Sequence, residues 1–364
     1  LRNAAGFSTF RGPAATQHLD FIARSLRMSR PDRPAEAASV IRRRPILAAG
    51  LAALGGLAAP RTLRAQSYPT RPIRFIVPGP ASGAADVLGR IVCDKLGPRL
   101  GQPVVVENRP GAATNIGMTA LAQSAPDGYT LGMGSIASNA VNKWIYRSLP
   151  FNPERDFTPI TLIALVPNIM VVSPSLPVTS VKEFVDYAKK NPGQLNYGSV
   201  GAGSSQHLAG VQFNLATGAD MLHIPYSNSG QLNGDLIEGR VQVLFQSVSA
   251  VAEMAKAGRM RALAVTGTER LPAFPEVPTL QEAGFDIVST GWFGAVAPAG
   301  TPEPILERLN AETVALIREP EVTQRIIGLG SVPRPGSRAD FAAWMAQETD
   351  RWGKVTKAAG VTVD

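Results

Sequence analysis

Three Gly- and Ser-rich turns hold most of the chemistry open to this chain: Pro80-Ala81-Ser82-Gly83-Ala84-Ala85-Asp86, Gly201-Ala202-Gly203-Ser204-Ser205-Gln206 and Tyr226-Ser227-Asn228-Ser229-Gly230. Each follows a run of strand-forming residues and precedes a helical period, so each opens a helix N-terminus. The first N–H groups of a helix lack intrahelical partners and carry partial positive charge, and Gly or Ser lets an oxyanion approach them. Such turns suit a carboxylate or a phosphate without any Lys or Arg. The plainer reading is that strand-to-helix turns are often Gly/Ser-rich simply in order to turn, and it applies to each of the three separately.

Other chemistries lack their residues. No turn ends in the Gly-Lys-Ser/Thr of a P-loop, and Gly201-Ala202-Gly203 lacks the third Gly of a dinucleotide fingerprint. There is no Gly-x-Ser-x-Gly elbow, and Ser204 or Ser205 with His207 shares one helical turn, which makes no catalytic triad. The only Cys is Cys93 and the only His are His18, His207 and His223, so a disulfide framework and a zinc cage both lack ligands. No catalytic residue, metal or cofactor is expected. His207 reads as a helix-start residue and His223 as a packed strand residue. Asp86 and Asp235 sit near expected helix starts, where capping is a plainer role than acid/base work.

The 364 residues, 45% hydrophobic and 18% charged, suit about two globular domains. A net charge of +8 would suggest nucleic acid, but location reverses that inference. Of 36 basic and 28 acidic residues, 11 Arg and three acids fall in residues 1–65, leaving 25 of each in an electrically neutral body with no nucleic-acid partner. Arg42, Arg43 and Arg44 precede an apolar run at 46–59, then Pro60 and the small residue Ala65. That is the layout of a secretory signal, and the run is shorter than the ~20 residues a membrane span requires. Arg43-Arg44-Pro45-Ile46-Leu47 also resembles a twin-arginine motif, so Sec and Tat export both fit. Residues 1–27 read as upstream of a start at Met28, and 28–65 as a signal peptide cleaved near Ala65. The mature chain is then periplasmic.

From Arg71 onward, β-branched runs at 73–77, 103–107, 129–133, 169–173, 195–198, 221–224, 241–245 and 261–266 alternate with helical periods, the pattern of an α/β fold. Ser180-Val181-Lys182-Glu183 reads as a capping box ahead of an apolar face of Val181, Phe184, Val185 and Ala188. Thr301-Pro302-Glu303 reads as N-cap, N1 proline and early acid; Ser337 and Asp340 start a last helix whose Phe341, Trp344, Met345 and Trp352 share a core stripe. No linker separates two domains, so the lobes must interleave.

Several ordered stretches then carry a resemblance: Pro103-Val104-Val105-Val106-Glu107-Asn108-Arg109-Pro110-Gly111-Ala112, Ala125-Pro126-Asp127-Gly128-Tyr129-Thr130-Leu131, Gln194-Leu195-Asn196-Tyr197-Gly198-Ser199, His223-Ile224-Pro225-Tyr226, Pro275-Glu276-Val277-Pro278-Thr279 and Trp292-Phe293-Gly294. Over the whole mature part the chain resembles the Bug family, periplasmic substrate-binding receptors of tripartite tricarboxylate transporters. The resemblance implies a type II, Venus-flytrap binding protein with crossing segments, lobe 1 being 66–167 and 292–364 and lobe 2 being 168–291. It implies first-lobe contacts from Ser82, Gly83, Ala85, Asp86, Ser135 and Ser138. Second-lobe contacts would be Gly201, Ser204, Ser205, His207, Tyr226, Ser229 and Gln246, with Trp292 and Phe293 at the return crossing near the cleft. Ser82 stands where the family has Gly, Ala85 where Thr or Ser is frequent, and Gln246 where Asp is common. The last change removes a negative charge and favours plain di- or tricarboxylates over amine-bearing ligands.

The implied protein is a monomeric, non-enzymatic receptor that captures a small organic carboxylate and delivers it to integral-membrane permease subunits. A periplasmic sensor signalling to a membrane kinase fits the same residues, and genomic neighbourhood separates the two. An extracytoplasmic serine hydrolase using a Ser near His207 would be established by turnover that mutation of that Ser abolishes.

Overall fold

The computed structural model describes residues 68–363, so the Arg-rich segment, the apolar run and the expected cleavage point lie outside the described residues. The strands are β1 (Ile73–Val77), β2 (Val104–Asn108), β3 (Thr130–Ser135), β4 (Phe157–Val172), β5 (Asn196–Ser199), β6 (Leu222–Pro225), β7 (Val243–Ser247), β8 (Arg261–Val265), β9 (Thr290–Pro298) and β10 (Val332–Pro333). The helices are α1 (Ala84–Leu100), α2 (Asn115–Ala122), α3 (Asn142–Ile145), α4 (Val181–Lys190), α5 (Ser205–Thr217), α6 (Ser229–Ile237), α7 (Val248–Lys256), α8 (Glu303–Ile317), α9 (Pro320–Gly328) and α10 (Arg338–Ala358). A π-helical turn, Ala137–Val141, leads from β3 into α3.

β4 is the spine of one continuous sheet ordered β2-β1-β3-β9-β4-β7-β5-β6, with β8 and β10 also on β4. Residues 157–167 of β4 pair antiparallel with β9, and its last residues, 168–172, pair antiparallel with β7 and β8. β9 is antiparallel to β3 as well, and β1 is parallel to β2 and β3, so β1 to β3 run in the direction of β4. β5 is parallel to β6 and β7, so these three run against β4. β4 passes from the first half-sheet into the second, and the carboxyl ends of the two parallel sets therefore point toward each other. In open α/β sheets the crevice outside those ends is where ligands bind.

Each half-sheet is covered by helices on both faces. In the first, α1, α8 and α9 pack through Leu88, Ile91, Leu96, Leu309 and Ile326 on one side, and α2 and α10 pack through Met118, Phe341 and Trp352 on the other. In the second, α4 and α5 bury Phe184 and Phe213 against Met170 and Phe245, while α6 and α7 bury Leu232, Leu236 and Val251 on the opposite face. A fully buried side chain of this size contributes about 1.5–3 kcal/mol, which fixes both halves as cores.

Two helix starts differ from the sequence expectation. Ser180 Oγ accepts from Glu183 N–H (3.2 Å), but the Glu183 carboxylate reaches back one residue further, accepting from the N–H and hydroxyl of Thr179 (2.6 and 2.8 Å). Thr301 does not cap α8: its hydroxyl donates to Pro298 O (2.8 Å) inside the preceding turn, and Pro302 takes the N-cap position. Ser337 and Asp340 form the full reciprocal box expected of them.

Candidate functional site

The first turn leaves β1 and starts α1 without a side-chain cap. Ser82 adopts φ +64° and Gly83 is the N-cap, with no side chain bonded to the first-turn N–H groups. Asp86 is buried and points back into the turn, accepting from Ser82 N–H (2.9 Å), Arg90 (3.1 Å) and Asn108 Nδ2 (3.0 Å). Burial alone would raise its pKa, but the hydrogen bonds from Arg90, Ser82 and Asn108 together hold it below the usual carboxylate range. Asp86 thus fixes the loop and leaves the N–H groups of α1 to other partners.

At the end of β3, Ser135, Ser138 and Asn139 form a buried network. Ser138 Oγ donates to Asn139 Oδ1 (2.6 Å), the Ser135 and Ser138 hydroxyls lie 3.1 Å apart, and Ser135 N–H reaches Ser138 Oγ (3.0 Å). Asn139 Nδ2 is buried without a partner. One turn on, Asn142 Nδ2 donates to Ala113 O (2.9 Å) and Asn115 Oδ1 (2.7 Å), while Asn142 Oδ1 and Thr114 Oγ1 are unfilled. The loop that meets Asn142 is strained: Gly111, Ala112, Ala113 and Thr114 all have positive φ, at 123°, 45°, 48° and 81°. Such strain persists only where surroundings over-determine it, and it clusters at binding sites.

The second-half turn comes up against this network. Gly201 and Gly203 have φ of +126° and +77°, and a Cβ on Gly203 would lie 2.9 Å from Ile145 Cδ1 and 3.3 Å from Asn142 Oδ1. Ser205 abuts β9, 3.1 Å from where a Cβ on Gly291 would sit. The turn holds its own shape: Ser199 and Ser204 hydroxyls both donate to Gly201 O (3.1 and 2.7 Å), and Ser204 Oγ accepts from His207 N–H (3.3 Å). Gly203 N–H donates to His207 Nδ1 (3.2 Å), which fixes that nitrogen as the unprotonated one. The His223 ring lies 4.1 Å from the His207 ring, with Nε2 2.6 Å from Ser199 Oγ. Burial pushes His207 down to about 4; burial, and then His207 itself, push His223 to about 3.

Behind the turn, buried Gln246 accepts through Oε1 from Gln206 Nε2 (3.1 Å) and Ser247 N–H (2.9 Å), and its Nε2 is unfilled. Asn168, where β4 changes half-sheets, is fully buried with both side-chain polar atoms unfilled. Neutral amides and hydroxyls therefore form one strip from Asn139 and Asn142 through Gly203 to Gln206 and Gln246, and the uncapped start of α1 follows β1 at the carboxyl end of the first parallel set. Arg90, next to Asp86, is already paired. Among the described residues, no group of three or more His, Cys, Asp or Glu could hold a metal ion.

The family model for the Tripartite tricarboxylate transporter family receptor, TctC, matches residues 88–361. This chain belongs to the TctC family. Protein BugT of Bordetella pertussis (strain Tohama I) is 36% identical over 310 residues, covering 85% of this chain and 94% of its own. Among solved structures, R. palustris Rpa4515 with adipate is similar at 36% identity and TM-score 0.75, covering 81% of this chain and 99% of that one. MatC (Rpa3494) from Rhodopseudomonas palustris with bound malate is similar at 30% identity and TM-score 0.71, covering 79% and 99%. The mixed α/β, curled-sheet architecture is thus that of TctC-type periplasmic binding proteins, a family of receptors rather than enzymes.

Among the other residues expected at the site in this TctC chain, Tyr226 has its hydroxyl engaged, and the two aromatics of β9 pack inward. Tyr226 donates its hydroxyl to Asp235 Oδ2 (2.8 Å), whose other oxygen takes Arg240 (2.8 Å). Burial and then Asp235 push that phenol up to about 12. Asp235 lies late in α6 and caps nothing at its start, where Asn228 accepts from Gln231 N–H and Ser229 is the first helical residue. Trp292 is fully buried, edge-on to Phe341 with its indole N–H on Glu348 (3.1 Å), so it is core. Phe293 is half-buried and packs with the α1–α8 core. Thr114, Asn139, Asn142, Asn168 and Gln206 were not anticipated. The signal available was an amide such as Asn168 inside the otherwise apolar stretch 162–172, where a buried polar group demands a partner.

Proposed function

We propose that this chain is an exported, periplasmic solute receptor that binds a small organic dicarboxylate between two lobes, 66–167 with 292–364 and 168–291, and delivers it to a membrane permease. The observation that carries this reading is the opposed pair of parallel strand sets, whose carboxyl ends face each other across side-chain amides with unfilled polar atoms and a helix start without a side-chain cap, with no unpaired cation among the described residues of the strip. A carboxylate fills such donors with charge-assisted bonds of about 1.5–3 kcal/mol each, and a neutral wall lets it leave again. The similar proteins solved with adipate and with malate support the ligand class. Site contacts from Ser82, Gly83, Ala85, Ser135, Ser138, Gly201, Ser204 and Ser205, with Gln246 behind them, are consistent with that geometry.

The test is a thermal-shift screen of the purified protein against mono-, di- and tricarboxylates, amino acids and sugars. The proposal expects plain dicarboxylates to raise the melting temperature most. Stabilisation by uncharged solutes alone would overturn it.

A further inference from the structure

A cavity of about 820 Å³ has none of the strip residues in its lining. Its walls come from β4, β9, the α8–α9 junction, the segment after β10 and the start of α10. The lining is mostly apolar by area, with Leu162, Leu165, Phe341 and Trp344 on the β4 and α10 side; Asp340 and Arg351 also line it, Arg351 with its guanidinium already bonded to Glu348, Gln212 and Val288 O. Arg318 and Arg334 stand at the edge, exposed, and neither guanidinium has an ion pair or side-chain hydrogen bond among the described residues. Nearby acids are engaged elsewhere: Glu319 with Arg99, Glu303 and Glu307 with Arg338, and Asp340 with Ser337 (2.7 Å). Trp344 Nε1 is buried and unfilled.

Volume, an apolar lining and a few convergent polar groups are what a small-molecule site requires. Two unpaired guanidiniums beside a low-dielectric wall select an anion, and guanidinium favours a planar carboxylate. The cavity disfavours the short, fully polar dicarboxylates that the strip suits, because their second charge would meet Leu and Phe or the Asp340 carboxylate, the Arg351 guanidinium being already engaged by Glu348. We propose that this cavity is a second ligand site, for a medium-chain amphipathic monocarboxylate. Its head group bonds Arg318 and Arg334, and its chain covers Leu162, Leu165, Phe341 and Trp344.

The experiment is a fluorescence titration of the purified protein with 8-anilinonaphthalene-1-sulfonate, followed by competition with decanoate and with adipate, in wild type and in the double variant Arg318→Ala/Arg334→Ala. Both arginines are at the surface, so the variant folds, and its melting temperature checks this. Decanoate should displace the dye and adipate should not, and the double variant should weaken decanoate by about tenfold or more. Undiminished decanoate affinity in the double variant, displacement by adipate, or no decanoate binding would each overturn the proposal. The adipate thermal shift, measured separately in both proteins, reports on the strip alone, so failure there leaves this result independent.

Discussion

His207 holds the second-half turn by accepting a hydrogen bond, because Gly203 N–H points at its Nδ1, and that bond exists only while the ring is neutral. The groups packed on the pair are Tyr197, Ser199 and the rings themselves. With folded values of about 4 and about 3 against 6.5 for free imidazole, the unfolded chain takes up protons that the folded one refuses. Stability from this source is complete above pH 6.5 and falls as pH drops toward 4. It flattens once the folded rings protonate, for a loss on the order of 3 kcal/mol from His207. His207→Asn puts an amide oxygen near the Nδ1 position, so its melting temperature should depend less steeply on pH between 6.5 and 4 while ligand binding persists. A profile parallel to wild type would refute this role. At Gln246, the unfilled Nε2 is a donor that Gln246→Asp replaces with a charge of the ligand's own sign. Calorimetry should find dicarboxylate affinity reduced by about tenfold or more, equivalent to about 1.4 kcal/mol; unchanged affinity would place Gln246 outside the site. Taken one at a time, the two histidines read as structural residues, His207 being a ligand contact only through the resemblance, because nothing in their spacing reveals that β6 lays one ring against the other.

Among the helices, Ser204 and Asn228 each cap a single first-turn N–H of α5 and α6, that of His207 and that of Gln231, whereas α1 starts at Gly83 with no side-chain cap. Gly203 does two things at once in the second turn: it takes φ +77° and lets the chain pass within contact of Ile145. Gly203→Ala should therefore cost about 1–2 kcal/mol in urea unfolding and also weaken ligand binding. Gly258→Ala is the control: its φ is +70° but nothing lies within 4 Å, so it should cost stability alone. Equal binding by both variants would separate the turn from the site. Seven of the eight expected strands coincide with β1–β3 and β5–β8 within two or three residues, because short β-branched runs bounded by turn residues are a local signal. β4 was legible only in its last residues and β9 not as a strand at all. Pro159 and Pro167 interrupt β4, its register against β9 shifts at Pro159/Thr161 and Leu162/Ala164, and Gly291 and Gly294 dilute β9. These two crossing strands owe their conformation to each other, a long-range pairing that local propensity does not encode.

For the whole molecule, the decisive property is direction. Because β4 carries the chain across and the second parallel set runs against it, every Gly/Ser turn that follows a parallel strand is delivered to the junction of the halves. Arg351 ties the same junction together from α10: it bonds Gln212 on α5 (3.2 Å), the carbonyl of Val288 ahead of β9, and Glu348 (3.1 Å), which also receives the indole N–H groups of Trp292 and Trp352. Trp292 was expected at the cleft from its place in the return crossing; pleat alternation instead turns it toward α10, where a large ring and a buried acceptor are available. The most direct test of the central claim is a crystal structure of the protein with adipate or malate, reading the atoms within hydrogen-bond distance of the ligand carboxylates. The account predicts main-chain N–H groups at the starts of α1 and α5, together with the Ser and amide groups between them. Carboxylates held instead by Arg318 and Arg334, or by any guanidinium away from the junction, would contradict it.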